Sequence, residues 1–301
     1  MARTLGAVVA AVTLIAGVAA VYVYQRLTSF DVERVTDDVV VIRGFGGNVA
    51  VLGTERGAVV VDTMNFRLQG DQLRELAARL GGGPVQAILN THYHRDHTHG
   101  NPGFPLGTAV VATERTRAHL LERDAGYWRG EASGNLPNQT FEGEHLLRIG
   151  GKTIRALQLG RGHTDGDLVV LFVEDRVLHA GDLLFQRTYP RIDLEGGGSV
   201  PAWIATLDRV LALDFDRVIP GHGAVTDREG LAAFQGFLRE IWAVAEGAVD
   251  AGMSLEETLA SARLEQDAGY TAFSVPFVFR RDRDSAIRQA FEEAQRSSRS
   301  E

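Results

Sequence analysis

The most informative stretch of this sequence is Thr91-His92-Tyr93-His94-Arg95-Asp96-His97. It holds three imidazoles and one carboxylate within six consecutive positions, and it follows an apolar run at residues 85–89 that predicts a buried strand. Imidazole nitrogen is the commonest side-chain metal ligand, and carboxylate oxygen is a suitable partner for it. The alternative is a solvated polar loop. Because the stretch contains three of the nine histidines in the chain, it predicts a metal site instead.

Three further candidate ligands stand where predicted strands begin or end. His163 lies in a glycine-rich segment, Asp182 follows Gly181, and His222 lies between two glycines. Glycine allows the sharp backbone turns that such positions need. These side chains are therefore expected to converge on one edge of a sheet. Three apolar runs predict the neighbouring strands, at residues 168–173, 176–178 and 217–219.

Together these residues resemble the pattern of the metallo-β-lactamase superfamily, which is His-x-His-x-Asp-His followed by a distant His, then Asp, then His. The resemblance extends over residues 40–224 and includes Val59-Val60-Val61-Asp62-Thr63, which looks like the first motif of that superfamily. It implies an α/β fold, the αββα metallo-β-lactamase sandwich. In that fold two sheets pack face to face, helices lie outside, and a binuclear metal site lies at the sheet edge.

Carried over residue by residue, the resemblance implies a complete set of seven metal ligands. The first ion would be held by His92, His94 and His163, the second by Asp96, His97 and His222, and Asp182 would bridge the two. Asp62 would orient a ligand imidazole by accepting its other N–H. Taken alone, Asp62 is also typical of a turn residue at the end of a strand.

Departures from the pattern narrow the choice among the branches of the superfamily. The chain has no cysteine, so it differs from lactamases with a thiolate ligand at the second metal. Asp182 at that point instead resembles glyoxalase II, the tRNA-processing nucleases and many other hydrolases. His94 stands where the flavodiiron relatives have a carboxylate, which disfavours that branch.

Composition is that of a globular enzyme. The 301 residues are 45% hydrophobic and 23% charged, enough for one large domain and an appendage. A formal net charge of -8 gives no basic surface for nucleic acid, so we expect a small-molecule substrate rather than a nuclease activity. Without cysteine there is no disulfide framework, and the sequence leaves the oligomeric state open.

The N-terminus carries a separate feature. Residues 5–24 contain no charged side chain, and twenty residues at about 1.5 Å per residue span a hydrocarbon layer of roughly 30 Å. We therefore predict that residues 1–28 form an N-terminal transmembrane helix that anchors the chain, although cleavage after Ala20, as a signal peptide, stays open. The single span would place the catalytic domain on the periplasmic or other extracytoplasmic side.

The rest of the chain is predicted to form a catalytic domain at residues 29–226 and a C-terminal helical extension at residues 227–301 that packs on the sandwich. Strands are expected at 39–42, 49–52 and 109–112, and helices at 68–80 and 114–123. Two apolar stripes, within 231–241 and 286–294, predict the helices of the extension.

Two loops are candidates for shaping the substrate pocket, at residues 124–140 and 186–200. Arg187 and Arg191 in the second loop could pair with a substrate carboxylate, although solvated arginines are commoner. His119 is expected at the surface of a helix. His99 has no ligand role in the superfamily pattern, and neither His145 nor His179 is included in the site.

The predicted function is a binuclear zinc hydrolase. Two Zn²⁺ ions sharing a water would lower its pKa toward about 7, and the hydroxide so formed would attack an ester, thioester, amide or lactam. Asp96 and Asp182 would orient this nucleophile and move its proton. Two alternatives stay open: a persulfide dioxygenase holding one iron on His92, His163 and Asp182, and a membrane-tethered metal-binding protein without catalysis.

Overall fold

The computed structural model describes residues 13–14, 17–18, 21–22, 24–25, 27–275 and 279–299. The membrane anchor predicted at residues 5–24 lies mostly outside this set. Among the described residues no helix is long and apolar enough to cross a membrane, so the predicted transmembrane helix is not found there.

Seven strands form the first sheet, in the order in which they follow one another along the chain. The first four pair antiparallel, and the fourth to the seventh pair in parallel. The hairpin predicted from the apolar runs at 39–42 and 49–52 is present. The strands are β1 (Asp31–Arg34), β2 (Val39–Arg43), β3 (Val49–Thr54), β4 (Gly57–Val61), β5 (Val85–Leu89), β6 (Ala109–Thr113) and β7 (Gln139–Phe141).

The second sheet has five strands, with β12 at one edge, β8 at the other, and β11, β10 and β9 in sequence between them. Only β11 and β12 pair in parallel. The strands are β8 (Glu144–Ile149), β9 (Lys152–Leu157), β10 (Val169–Phe172), β11 (Val177–Phe185) and β12 (Arg217–His222).

Strand β11 corrects one sequence prediction. The apolar run suggested a strand that stops at residue 178, with Asp182 in the turn that follows, whereas the observed strand continues to Phe185. Its partner β12 supplies parallel pairing as far as Phe185 and His222, with shifts in register on either side of Gly181. Asp182 therefore lies within an irregular strand, where the register shift and the positive φ of Gly181 (53°) alter the direction of the chain.

The sandwich follows from strands that are apolar on both faces. Side chains alternate between faces, so Val39 and Val41 of β2 join the core between the sheets together with Phe172 of β10. Val40 belongs to the opposite face, which packs against Leu73 of the first long helix. Successive residues of one strand thus fill two separate cores.

Helices cover the outer faces of both sheets and complete four layers. Helix α1 (Arg67–Leu80) covers the first sheet and ends at Gly81, as predicted. The second sheet packs through Phe185 against Phe234 and Phe291 of two C-terminal helices. The remaining helices are α2 (Arg95–Thr98), α3 (Glu114–Glu122), α4 (Val200–Leu211), α5 (Arg228–Asp250), α6 (Leu255–Ser261) and α7 (Arg283–Ser298).

A two-stranded hairpin precedes the last helix. It consists of β13 (Phe273–Val275) and β14 (Phe279–Arg281), which pair antiparallel. Helix α7 follows directly, capped by Asp282, whose side chain accepts the N–H of Ser285. This hairpin brings C-terminal residues toward the same edge of the sandwich as β11 and β12.

Candidate metal centre

The seven predicted ligands lie at one edge of the sandwich, at the ends of strands or in the loops beside them. The chain leaves β5 at Leu89 and continues to His92 and His94, and α2 then carries Asp96 and His97. The second sheet supplies the other three ligands. His163 precedes β10, Asp182 lies in β11, and His222 ends β12.

These seven side chains form two groups, each able to hold a metal ion. The ligand atoms within each group all lie within 4.8 Å of one another. The groups consist of His92, His94, His163 and Asp182, and of Asp96, His97 and His222. This division matches the one that the sequence predicted.

Asp182 stands between the two groups, with one carboxylate oxygen toward each. Its Oδ2 lies 3.4 Å from Nε2 of His163 and 3.8 Å from Nε2 of His92. Its Oδ1 lies 3.2 Å from Nε2 of His97 and 3.4 Å from Nε2 of His222. This geometry is suited to a carboxylate shared by two cations.

The first group is oriented by acceptors behind its imidazoles. Nε2 of His94 lies 2.9 Å from Oδ2 of Asp193, and Nδ1 of His163 lies 2.7 Å from the carbonyl oxygen of Arg191. A carboxylate and a carbonyl only accept, so these nitrogens carry the N–H. Lone pairs therefore face inward on Nδ1 of His94 and Nε2 of His163, which are 2.8 Å apart. Two lone pairs at this separation repel unless a cation lies between or beside them.

Asp62 orients ligands of both groups. Its Oδ2 accepts from Nδ1 of His97 at 2.7 Å and from the hydroxyl of Thr91 at 2.8 Å. The oxygen of that hydroxyl is in turn 3.0 Å from Nδ1 of His92, whose N–H it accepts. The contact predicted between Asp62 and a ligand imidazole is confirmed. Asp62 holds this position with φ at 64°, in the left-handed region that aspartate tolerates better than most residues.

The two groups differ in the pKa values of their histidines, because burial dominates in the first group and carboxylate charge in the second. Burial lowers the pKa of His163 to about 3 and holds the pKa of His92 well below its usual range, so both imidazoles are neutral and can ligate. Burial also opposes charge on His97, but the carboxylates of Asp182 and Asp96 outweigh it and raise its pKa. The second group therefore creates a field that favours a positive charge.

The second group also contains polar atoms that approach one another to 3.2–3.4 Å but form no hydrogen bond. Nε2 of His97, Nε2 of His222 and Oδ1 of Asp182 are all buried without a hydrogen bond. Unpaired buried polar atoms are rare in folded proteins and usually indicate a bound ion or water. A cation bound at this point would satisfy all three atoms, so the residues fit a second metal.

Two glycines keep space for the ligands. A Cβ on Gly221 would lie 2.0 Å from Oδ1 of Asp182, and a Cβ on Gly47 would lie 2.3 Å from Cε1 of His97. Both distances are far below van der Waals contact. Only glycine therefore fits beside these two ligands without moving them.

Asp193 contacts a candidate ligand, although no pattern in the sequence points to it. It is 5% exposed and also accepts the hydroxyl of Tyr93, and it stands 99 positions after His94 along the chain. No spacing along the chain predicts such a contact. The one signal in the sequence is that an aspartate lies within the loop 186–200, which was predicted to shape the pocket.

Other histidines have structural contacts. His119 was predicted at the surface, but it is 3% exposed and its Nε2 lies 2.7 Å from Oδ1 of Asp165. The prediction was wrong because α3 packs that face against the loop carrying Asp165. His99 binds Asp124 at 2.5 Å and stacks on Tyr127. It therefore anchors the loop 124–140.

The two candidate arginines of loop 186–200 do not reach the ligand side chains. Nη1 of Arg187 donates to the carbonyl of Ala268 at 3.2 Å. The side chain of Arg191 is 54% exposed and approaches Oδ1 of Asp193 to 3.9 Å. Their contact with a substrate stays a prediction.

The model of the metallo-beta-lactamase superfamily matches residues 42–222, more than half of the chain. The chain belongs to this superfamily. The matched region begins in β2 and ends at the last predicted ligand, His222, so it contains all seven ligands.

Several curated members of the superfamily are similar in sequence. The alpha subunit of 2,4-dinitroanisole O-demethylase from Nocardioides sp. strain JS1661 is 30% identical over 65% of this chain, which spans 58% of that protein's length. Hydroxyacylglutathione hydrolase of Methylococcus capsulatus is 29% identical over 71% of this chain and 80% of its own length. Metallo-beta-lactamase type 2 of Bacillus cereus is 26% identical, with coverages of 60% and 68%.

Solved structures share the fold. A metallo-beta-lactamase from Pontibacter korlensis matches with a TM-score of 0.61 at 21% identity, covering 70% of this chain and 99% of its own. A stereoselective inverting sec-alkylsulfatase from Pseudomonas sp. matches with a TM-score of 0.68 at 17% identity, covering 87% and 50%. At these identities the likeness shows the αββα sandwich and carries no information on substrate.

Proposed function

We propose that the chain is a binuclear zinc hydrolase that cleaves an ester, thioester, amide or lactam bond. The observation that carries this proposal is the position of Asp182, which directs one oxygen toward each group of ligands. The three buried atoms without hydrogen bonds around the second group support a second ion. Neutral imidazoles, a bridging carboxylate and no thiolate form a donor set that suits zinc.

Zinc at these positions would supply Lewis-acid polarisation of the scissile carbonyl and a water of lowered pKa. Residues behind the ligands hold the imidazoles in position. Asp62 and Asp193 fix the imidazoles of His97 and His94, so that their lone pairs point inward. This preorganisation lowers the reorganisation needed when a substrate binds.

Asp96 is the residue best placed to move a proton. Its side chain is 28% exposed, whereas that of Asp182 is 4% exposed. Oδ2 of Asp96 lies 3.3 Å from Nε2 of His222, so the same carboxylate adjoins the second group and solvent. It can accept a proton from an attacking water and release it to bulk solvent or to the leaving group.

The names of relatives support the proposed range of substrates. They include a metallo-beta-lactamase, an acyl carrier protein thioesterase and a hydroxyacylglutathione hydrolase. The single-iron dioxygenase alternative uses His92, His163 and Asp182 alone. It leaves three buried atoms of the second group without hydrogen bonds, so the geometry favours two ions.

The decisive experiment combines metal analysis with turnover. We expect two zinc ions per chain and hydrolysis of at least one member of a panel of lactams, lactones, thioesters and neutral esters. Asp182→Asn should lose the second ion first, and hydrolysis should fall by orders of magnitude, because the nucleophile depends on both ions. Asp216→Asn is the matched control, since Asp216 is 63% exposed and pairs with Arg176.

Other results would count against the proposal. One iron per chain would favour the dioxygenase, and two bound zinc ions without any turnover would favour the non-catalytic alternative. Near-normal turnover in Asp182→Asn with two ions bound would refute the bridging role.

A further inference from the structure

Arg281, at the end of β14, has a partly buried side chain with unused hydrogen-bonding capacity. Its guanidinium carbon lies 5.2 Å from the ring centre of Phe185 and 5.1 Å from that of Phe273. Its Nε is buried without a hydrogen-bond partner. Among the residues that the structure describes, no carboxylate forms an ion pair with this side chain.

Phe185 connects Arg281 to the metal centre. The Phe185 ring stacks on His222 with centroids 5.3 Å apart, and it lies 5.7 Å from the ring of His163. The Arg281 guanidinium is thus one aromatic ring away from ligands of both groups. Asp182 and Asp96 are near enough for their charges to oppose the lowering of its pKa by burial.

A second arginine lies within electrostatic range. Arg191 acts on Arg281 as a like charge and, like burial, lowers its pKa. The charge of Arg191 opposes that of Arg281, whereas Asp182 and Asp96 favour it without forming an ion pair with it. An anion bound directly to Arg281 would reduce the repulsion by Arg191.

The contacts with Phe185 and Phe273 do not supply that partner. Aromatic rings stabilise the face of a guanidinium, whereas its five N–H donors lie in its plane. The Nε donor is buried without an acceptor, which costs free energy. A purely structural role as a clamp between two rings leaves this cost unexplained.

We propose that Arg281 binds an oxyanion of the substrate, a carboxylate or a sulfate, beside the metal centre. A guanidinium presents a planar pair of donors that matches such a group in bidentate fashion. This inference rests on the proposed hydrolase function and specifies its substrate class. The substrate would then carry a negative group on the side of the metal centre where Arg281 lies.

The test compares two esters with the same leaving group on the zinc-loaded full chain. 4-Nitrophenyl acetate is neutral, and mono-4-nitrophenyl glutarate carries one carboxylate. Arg281→Gln should raise KM for the glutarate ester about 10- to 100-fold more than KM for the acetate ester, because only the glutarate ester loses a charge-assisted contact. Arg281→Lys, which keeps the charge without the fork, should fall between Gln and the wild type.

Arg280→Gln is the matched control. Arg280 precedes Arg281 on the same strand, where neighbouring side chains point to opposite faces. Its side chain is 73% exposed and pairs with Asp282. The control therefore removes the same charge from the hairpin without altering the proposed anion site, and its KM for both esters should stay at the wild-type value.

Calorimetric titration separates this proposal from the hydrolase proposal, because it needs no turnover. Glutarate and sulfate are titrated separately into the zinc-loaded wild type and Arg281→Gln, which also shows which anion is preferred. Binding that Arg281→Gln loses supports the proposal even if neither ester is cleaved, a result that would count against the hydrolase alone. Absence of binding by both anions, equal binding to the two proteins, or equal loss of activity toward both esters would overturn the role of Arg281.

Discussion

Replacement of Asp193 by asparagine offers a sharp test of how the protein positions its first metal. Oδ2 of Asp193 accepts from Nε2 of His94 at 2.9 Å and from the hydroxyl of Tyr93, and Oδ1 accepts the N–H of Gly196 at 3.2 Å. Asparagine has one oxygen in place of two. Its amide group must therefore face either the Gly196 N–H or the two side-chain donors, and the negative charge is lost in both orientations.

The expected magnitude follows from these contacts. A hydrogen bond to a charged group contributes about 1.5–3 kcal/mol and a neutral one about 1 kcal/mol, so the loss of charge at His94 costs about 0.5–2 kcal/mol. Independently, loss of a residue that orients a metal ligand weakens metal binding roughly 10- to 100-fold. The two estimates meet near a tenfold loss, since about 1.4 kcal/mol corresponds to a factor of ten.

The effect should be confined to one ion, because His94 belongs only to the first group. Competition for zinc with a chromogenic chelator measures both affinities in the wild type and in Asp193→Asn. We expect the first-site affinity to fall about tenfold and the second-site affinity to change little. Tyr93→Phe serves as the control, because it removes one donor and leaves the carboxylate charge on His94.

Unchanged zinc affinity in Asp193→Asn would refute the orienting role. Equal weakening of both ions would show a general effect on folding, and so would an equally large loss in Tyr93→Phe.

Three further predictions concern the ligands and their surroundings. His92→Ala should lose the first ion and keep the second, whereas His97→Ala should keep the first ion and lose the second; loss of both ions from either variant would contradict the separate groups. Gly221→Ala should lower second-site zinc affinity and activity, because its Cβ would lie 2.0 Å from Oδ1 of Asp182, and wild-type affinity would show that β12 can shift at little cost. Removing the metals with a chelator should lower the melting temperature, because a ligand at 100 times its Kd stabilises the fold by about 2.7 kcal/mol. Calorimetry of the metal-bound and metal-free forms at equal protein concentration measures the change, and an unchanged melting temperature would contradict this prediction.

The sequence by itself determined the fold class and the members of the metal centre. Four candidate ligands lie within residues 91–97, so they must be close together in space however the rest of the chain folds. The mostly apolar runs of β2 and β5 likewise predict buried strands. The spacing of the candidate ligands and the apolar composition of the strands are local properties of the sequence, so both could be inferred without coordinates.

Only the tertiary structure decided what stands behind and beside those ligands. Strand β11 continues through Asp182 because β12 pairs with it, and the burial of His119 depends on Asp165 from another loop. Asp193 and Arg281 reach the centre from distant parts of the chain. Such contacts result from the packing of whole layers, and no period or spacing along the chain encodes which side chain will lie opposite a given imidazole or ring.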